Sequence, residues 1–240
     1  MAFRRRAPAD VPSKQVAPTV VHMTTQPAAL ATNHWARAER AALCDLFIAV
    51  GPDAPTLCEG WNTRDLAGHL IVREGRIDAA MGIMVPALAS YADKVRLKAQ
   101  AGDWATVVDK VRNGPPKTSM MRLAQVDGAA NTIEFFVHLE DVRRAQAGWE
   151  PRVLDATFES ELWSRLAKFA PRLMKGSPVG IVLATPDGAT FTAKEGSNPV
   201  TITGAPAELT MYAYGRNQAR IELTGSDEAK AAVAATSFGL

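Results

Sequence analysis

An α-helical first part followed by a smaller α/β part is the fold class this sequence predicts. Three observations carry it. Apolar residues recur at helical spacing from about 26 to 148. Beyond Trp149-Glu150-Pro151-Arg152 the pattern changes to short β-like runs set between helical stretches. Thr185-Pro-Asp-Gly188 has the composition of a hairpin turn, because proline presets φ and glycine takes the positive φ such turns need. Together they place a disordered extension at 1–22, a helical domain at 23–150 and an α/β domain at 151–240.

The first helix is expected over 26–49, on the stripe Ala29, Leu30, Trp35, Ala38, Ala42, Leu43, Leu46 and Phe47. Gly51-Pro52-Asp53-Ala54-Pro55 ends it. Asn62 is a candidate N-cap for a second helix at about 63–84, with Asp65 at N3 completing a capping box. Residues 86–100 and 103–112 suggest two more helical pieces, and Gly114-Pro115-Pro116 a firm break. Helix is expected again at 119–124 and from Gly128 to Gly148. In the second part, helices at 155–174, 206–214 and 227–235 alternate with strands at 179–184, 189–193, 200–203 and 219–223.

Apolar residues at 47% and charges at 22% suit a chain that buries a core. The net charge is +2, but residues 1–22 hold Arg4, Arg5, Arg6 and Lys14 against Asp10, so the remainder sums to −1. A basic excess confined to a tail gives no nucleic-acid footprint. No apolar run approaches the roughly 18 residues of a membrane span, and the N-terminus lacks a signal-peptide core. Met23, just before the patterned sequence, is a candidate start. Cys44 and Cys58 are too few for a disulfide framework and read as reduced thiols of a cytoplasmic protein.

Chemistry concentrates on His69, Glu134 and His138. Glu134 and His138 stand at i and i+4, about 40° apart around a helix, so a carboxylate and an imidazole can grip one ion. His69 lies on the earlier helix; if the two pack together, three ligands and an open position match a catalytic zinc site. The plainer alternative is two packed histidines and a helix-stabilising Glu–His pair. Asp65 and Asp141 are candidate partners for the imidazoles' second nitrogens. Arg73, one turn after His69, is the candidate cofactor-binding residue. Arg143 and Arg144 read as solvated charges, and Trp61 as a packing anchor. No H-E-x-x-H, C-x-x-C, G-x-S-x-G or P-loop is present.

Three segments resemble a known family. They are Leu57-Cys-Glu-Gly-Trp-Asn-Thr-Arg-Asp-Leu-Ala-Gly-His-Leu70, Glu134-Phe-Phe-Val-His-Leu-Glu-Asp-Val-Arg-Arg144, and Ile202-Thr-Gly-Ala-Pro-Ala-Glu-Leu-Thr-Met-Tyr-Ala-Tyr-Gly-Arg216 with Leu223-Thr-Gly-Ser-Asp227. The chain is similar over roughly 26–240 to the actinobacterial, mycothiol-dependent maleylpyruvate isomerase-like branch of the DinB/YfiT metal-binding superfamily. The resemblance implies an N-terminal DinB-like four-helix bundle and a sterol-carrier-like C-terminal α/β domain. It implies a divalent metal, commonly zinc, on His69, Glu134 and His138. It also implies mycothiol as thiol cosubstrate, deprotonated at the metal and attacking a small electrophile as an isomerase or transferase would. Arg216 matches the arginine that assists catalysis. Relatives often carry a histidine where this chain has Leu139, which departs from the pattern. The implied protein is a monomer or homodimer that binds neither nucleic acid nor membrane. The competing expectation is a non-catalytic metal-binding protein whose C-terminal domain takes an apolar or lipid ligand.

Overall fold

The structure is a computed structural model that describes residues 28–80, 88–115 and 128–239. The expected tail at 1–22 and the helix at 119–124 lie outside the described residues, as do the end of the second expected helix and the start of the third. The architecture is helical first and mixed α/β second.

Helix α1 spans Ala28–Val50 and stops where Gly51 takes φ +85°, a conformation glycine adopts without a Cβ clash. Helix α2 spans Thr63–Gly75, shorter than expected. It ends at Gly75-Arg76, where Arg76 leaves helical geometry, and a single turn, α3 at Ile77–Ala80, follows. The expected capping box is present. Asn62 accepts from the Asp65 backbone N–H, and the Asp65 side chain accepts from the Asn62 backbone. Helix α4 (Ala89–Ala99) lies across α2 at Gly68, where an added Cβ would come 3.1 Å from the Arg96 carbonyl oxygen. Helix α5 (Trp104–Asn113) is capped by Asp103 and buries Val107, Val108 and Val111.

Helix α6 spans Gly128–Arg144, ending before the expected Gly148. At about 100° per residue its side chains sort into three stripes. Phe135, Leu139 and Val142 pack with Leu43 and Phe47 of α1, Leu66 and Leu70 of α2, and the α5 valines. Ile133, Phe136 and Val137 meet Phe158 and Leu162 of α7 (Ala156–Leu173) and Met211 of α8 (Pro206–Ala213). The third stripe, Asn131, Glu134, His138 and Asp141, is polar. A helix apolar on two sides and polar on the third is pinned in rotation, which aims the polar stripe.

The sheet has order β2-β1-β3-β4. Strand β1 (Ile181–Ala184) pairs antiparallel with β2 (Thr190–Lys194) and parallel with β3 (Val200–Thr203), which pairs antiparallel with β4 (Glu222–Thr224). The Thr185–Gly188 turn closes the first hairpin as expected, with Gly188 at φ +93° and its N–H donating to the Thr185 carbonyl at 2.9 Å. Leu166 and Leu173 of α7, with Met174 just after it, cover Ile181, Leu183 and Ile202, while Val233 of α9 (Asp227–Ala234) joins the same core. Among the described residues no helix is long and apolar enough to cross a membrane.

Candidate metal centre

The fold brings His69, Glu134 and His138 together. One donor atom from each lies within 4.8 Å of the others. His69 Nε2 and His138 Nε2 both stand 3.3 Å from Glu134 Oε1. The imidazole rings meet edge to face at 5.3 Å between centroids, so both nitrogens aim at one point rather than stacking past it. All three side chains are mostly but not wholly shielded, at 12%, 21% and 11% exposure, which leaves an open side.

Electrostatics without an ion reflect that crowding. Burial would raise the Glu134 carboxyl, but the charge and hydrogen bonds of His138, with those of His69 and Arg73, hold it well below its ordinary value. Burial likewise opposes charge on His138, yet Glu134, Asp141 and Cys58 raise it well above an ordinary imidazole. His69 is pushed down, by burial first and then by the charges of His138 and Arg73. The surroundings thus favour the charged form of His138 and the neutral form of His69 beside the carboxylate. Two imidazole nitrogens and a carboxylate oxygen are the donor types a zinc-like dication takes, and a dication would replace the proton on His138.

A second cluster lies behind the first. His138 Nδ1 is 2.9 Å from Asp141 Oδ2, and the Cys58 thiol donates to the same oxygen at 3.2 Å. Sγ, Nδ1 and Oδ2 also form a group that could hold a metal. Arg216 argues against that use. Its Nε and Nη2 donate to both Asp141 oxygens at 2.8 and 2.7 Å, and Nη2 lies 3.7 Å from Cys58 Sγ. A dication there would face a guanidinium held on both oxygens of its carboxylate; at the first cluster Arg73 Nε also reaches Glu134 Oε1, at 3.0 Å. Asp141 is fully buried, and His138 and Arg216 lower its carboxyl to about 2 against the burial that would raise it.

Arg73 donates to Glu134 Oε1 at 3.0 Å through Nε and to Asn131 Oδ1 at 2.9 Å through Nη1. The Trp61 ring stands 5.3 Å from the His69 ring, with the Arg96 guanidinium 5.1 Å from the Trp61 centroid. Asp65 does not reach His69. It pairs with Arg96 and Gln100 across α4 while capping α2. Arg144 is not a solvated charge either, being buried against Glu140 and Glu208 at 2.6 Å each. Leu139 points into the helical core, off the polar stripe. Sequence reasoning missed Cys58, which nothing in its local pattern separates from an ordinary packed thiol. Asp141 carried a signal, its i+3 spacing from His138.

A scan of protein-family models finds no match, and neither does a search of curated proteins. Solved structures do match. A histidine-to-alanine mutant of the mycothiol-dependent maleylpyruvate isomerase superposes with TM-score 0.59 at 13% identity, covering 82% of this chain and 93% of that one. A second structure of the mycothiol-dependent maleylpyruvate isomerase gives TM-score 0.54 at 15% identity and the same coverage. Such identities speak of backbone rather than chemistry. This chain has the fold of the mycothiol-dependent maleylpyruvate isomerase.

Proposed function

We propose that this chain is a divalent-metal enzyme, zinc being the expected metal, that uses mycothiol to act on a small electrophile as an isomerase or S-transferase. The observation that carries the reading is the convergence of His69, Glu134 and His138 donors on one point with an open side, inside this fold. The helical part is read as a DinB-like four-helix bundle of α1, α2, α5 and α6, and the remainder as a sterol-carrier-like domain.

His69 Nε2, His138 Nε2 and the Glu134 carboxylate would hold the ion, which when bound supplies a Lewis-acid position where a thiol loses its proton near neutral pH. Arg73 places a cation beside the cluster, held on Glu134 and Asn131, and an anionic group of the cosubstrate or substrate would have to share it with them. Trp61 and Arg96 shield the His69 side from water. Cys44 is unsuited to act as nucleophile, because burial pushes its thiol up to about 11. The Cys58 thiol is engaged by Asp141, and the reading assigns the reactive sulfur to the cosubstrate.

The test is the cobalt-substituted protein titrated with mycothiol. A thiolate-to-metal charge-transfer band in the near ultraviolet is the expected result. An unchanged spectrum at saturating thiol would contradict the reading and favour a metal-binding protein without thiol chemistry.

A further inference from the structure

His138 has two ring nitrogens with different tasks. Nε2 faces His69 and Glu134, so Nδ1 must carry the proton that meets Asp141, an acceptor. Asp141 is in turn held by Arg216, which lies in the loop after α8, in the α/β part of the chain. That guanidinium is committed: Nε and Nη2 serve Asp141, and Nη1 donates to the Tyr214 carbonyl at 2.6 Å. The loop itself is pinned to α6 by Arg144, which donates to the Gln218 carbonyl at 2.5 Å.

Resting on the metal-centre reading, we propose that Arg216 is a positioning residue: acting through Asp141, it fixes the ring of His138 and so makes metal affinity depend on the α/β part of the chain. A direct clamp on a substrate carboxylate would need the fork that Asp141 already occupies. Cys58 is the minor third donor to Asp141, as a thiol is a weak one.

The test uses the full chain labelled with 15N-histidine, as wild type, Arg216→Ala, Arg216→Lys and Asp141→Asn. Zinc affinity is read by chelator competition, and the His138 ring by its nitrogen resonances in metal-free protein. Expected are a protonated, slowly exchanging Nδ1–H in wild type and a zinc affinity roughly 10–100-fold lower in Arg216→Ala and Asp141→Asn. Arg216→Lys should recover part of the loss. Wild-type affinity in Arg216→Ala with unmoved His138 resonances would overturn the proposal. Arg216→Ala leaves the buried Asp141 carboxylate with His138 and the Cys58 thiol but no guanidinium and can unfold, so wild type also decides: a His138 lacking a proton on Nδ1 overturns it too. If wild type binds no zinc, the metal-centre reading falls, and the His138 resonances still decide whether Arg216 positions the ring.

Discussion

At the scale of single residues the site is a contest between a proton and a cation. The His138 imidazole is raised well above its ordinary value because Glu134 and Asp141 outweigh its burial. A metal must displace that proton, so uptake near neutral pH releases one, and affinity falls as pH drops. Calorimetry in buffers of different ionisation enthalpy checks this; buffer-independent heats would contradict it. Asp141 sets a second pH dependence. Its carboxyl stands at about 2 when folded against an ordinary 3.8. A lowered carboxyl favours the native state above pH 3.8 and loses that contribution as pH falls toward 2. Wild type should lose more stability than Asp141→Asn over that window in acid-unfolding curves. Cys44, raised by burial, should resist alkylation in the folded chain at neutral pH and react only on unfolding, as mass spectrometry can show.

At the scale of elements, α6 is the part the sequence made legible. Its Glu-x-x-x-His spacing and apolar flanks placed two ligands on one stripe, and Asn62 with Asp65 placed the start of the helix that carries His69. Asn62→Ala should cost about 1 kcal/mol, the usual effect of losing an N-cap, read by urea denaturation. Phe135, fully buried among α1, α2 and α5, should cost about 3–5 kcal/mol when cut to alanine. What could not be read lies where tertiary contact decides. Asp65 looked like a partner for His69, but α4 crosses at Gly68 and brings Arg96 and Gln100 to it first. Nor did the local pattern set a helix end at Gly75, since the apolar spacing runs on past it.

At the scale of the molecule, α6, with Trp35 of α1 stacked on Phe158, joins the helical and α/β parts among the described residues through an apolar seam and buried polar knots. The seam is Phe136 and Val137 against Phe158 and Met211. One knot is Asp141 with Arg216; the other is Arg144 with Glu140 and Glu208, near Arg152 and Glu39. Arg144 reads locally as a surface charge because its partner Glu208 lies 64 residues away, beyond any local pattern. Arg144→Ala would take from the buried Glu208 carboxylate its guanidinium partner, while Glu140 keeps Arg143 and Arg152, and should cost about 3–5 kcal/mol. Metal content of tag-free protein purified without added metal, beside His138→Ala, tests the central claim most directly. One zinc per chain in wild type, lost in the variant, is the predicted result; a metal-free wild type that takes up none on reconstitution would contradict it.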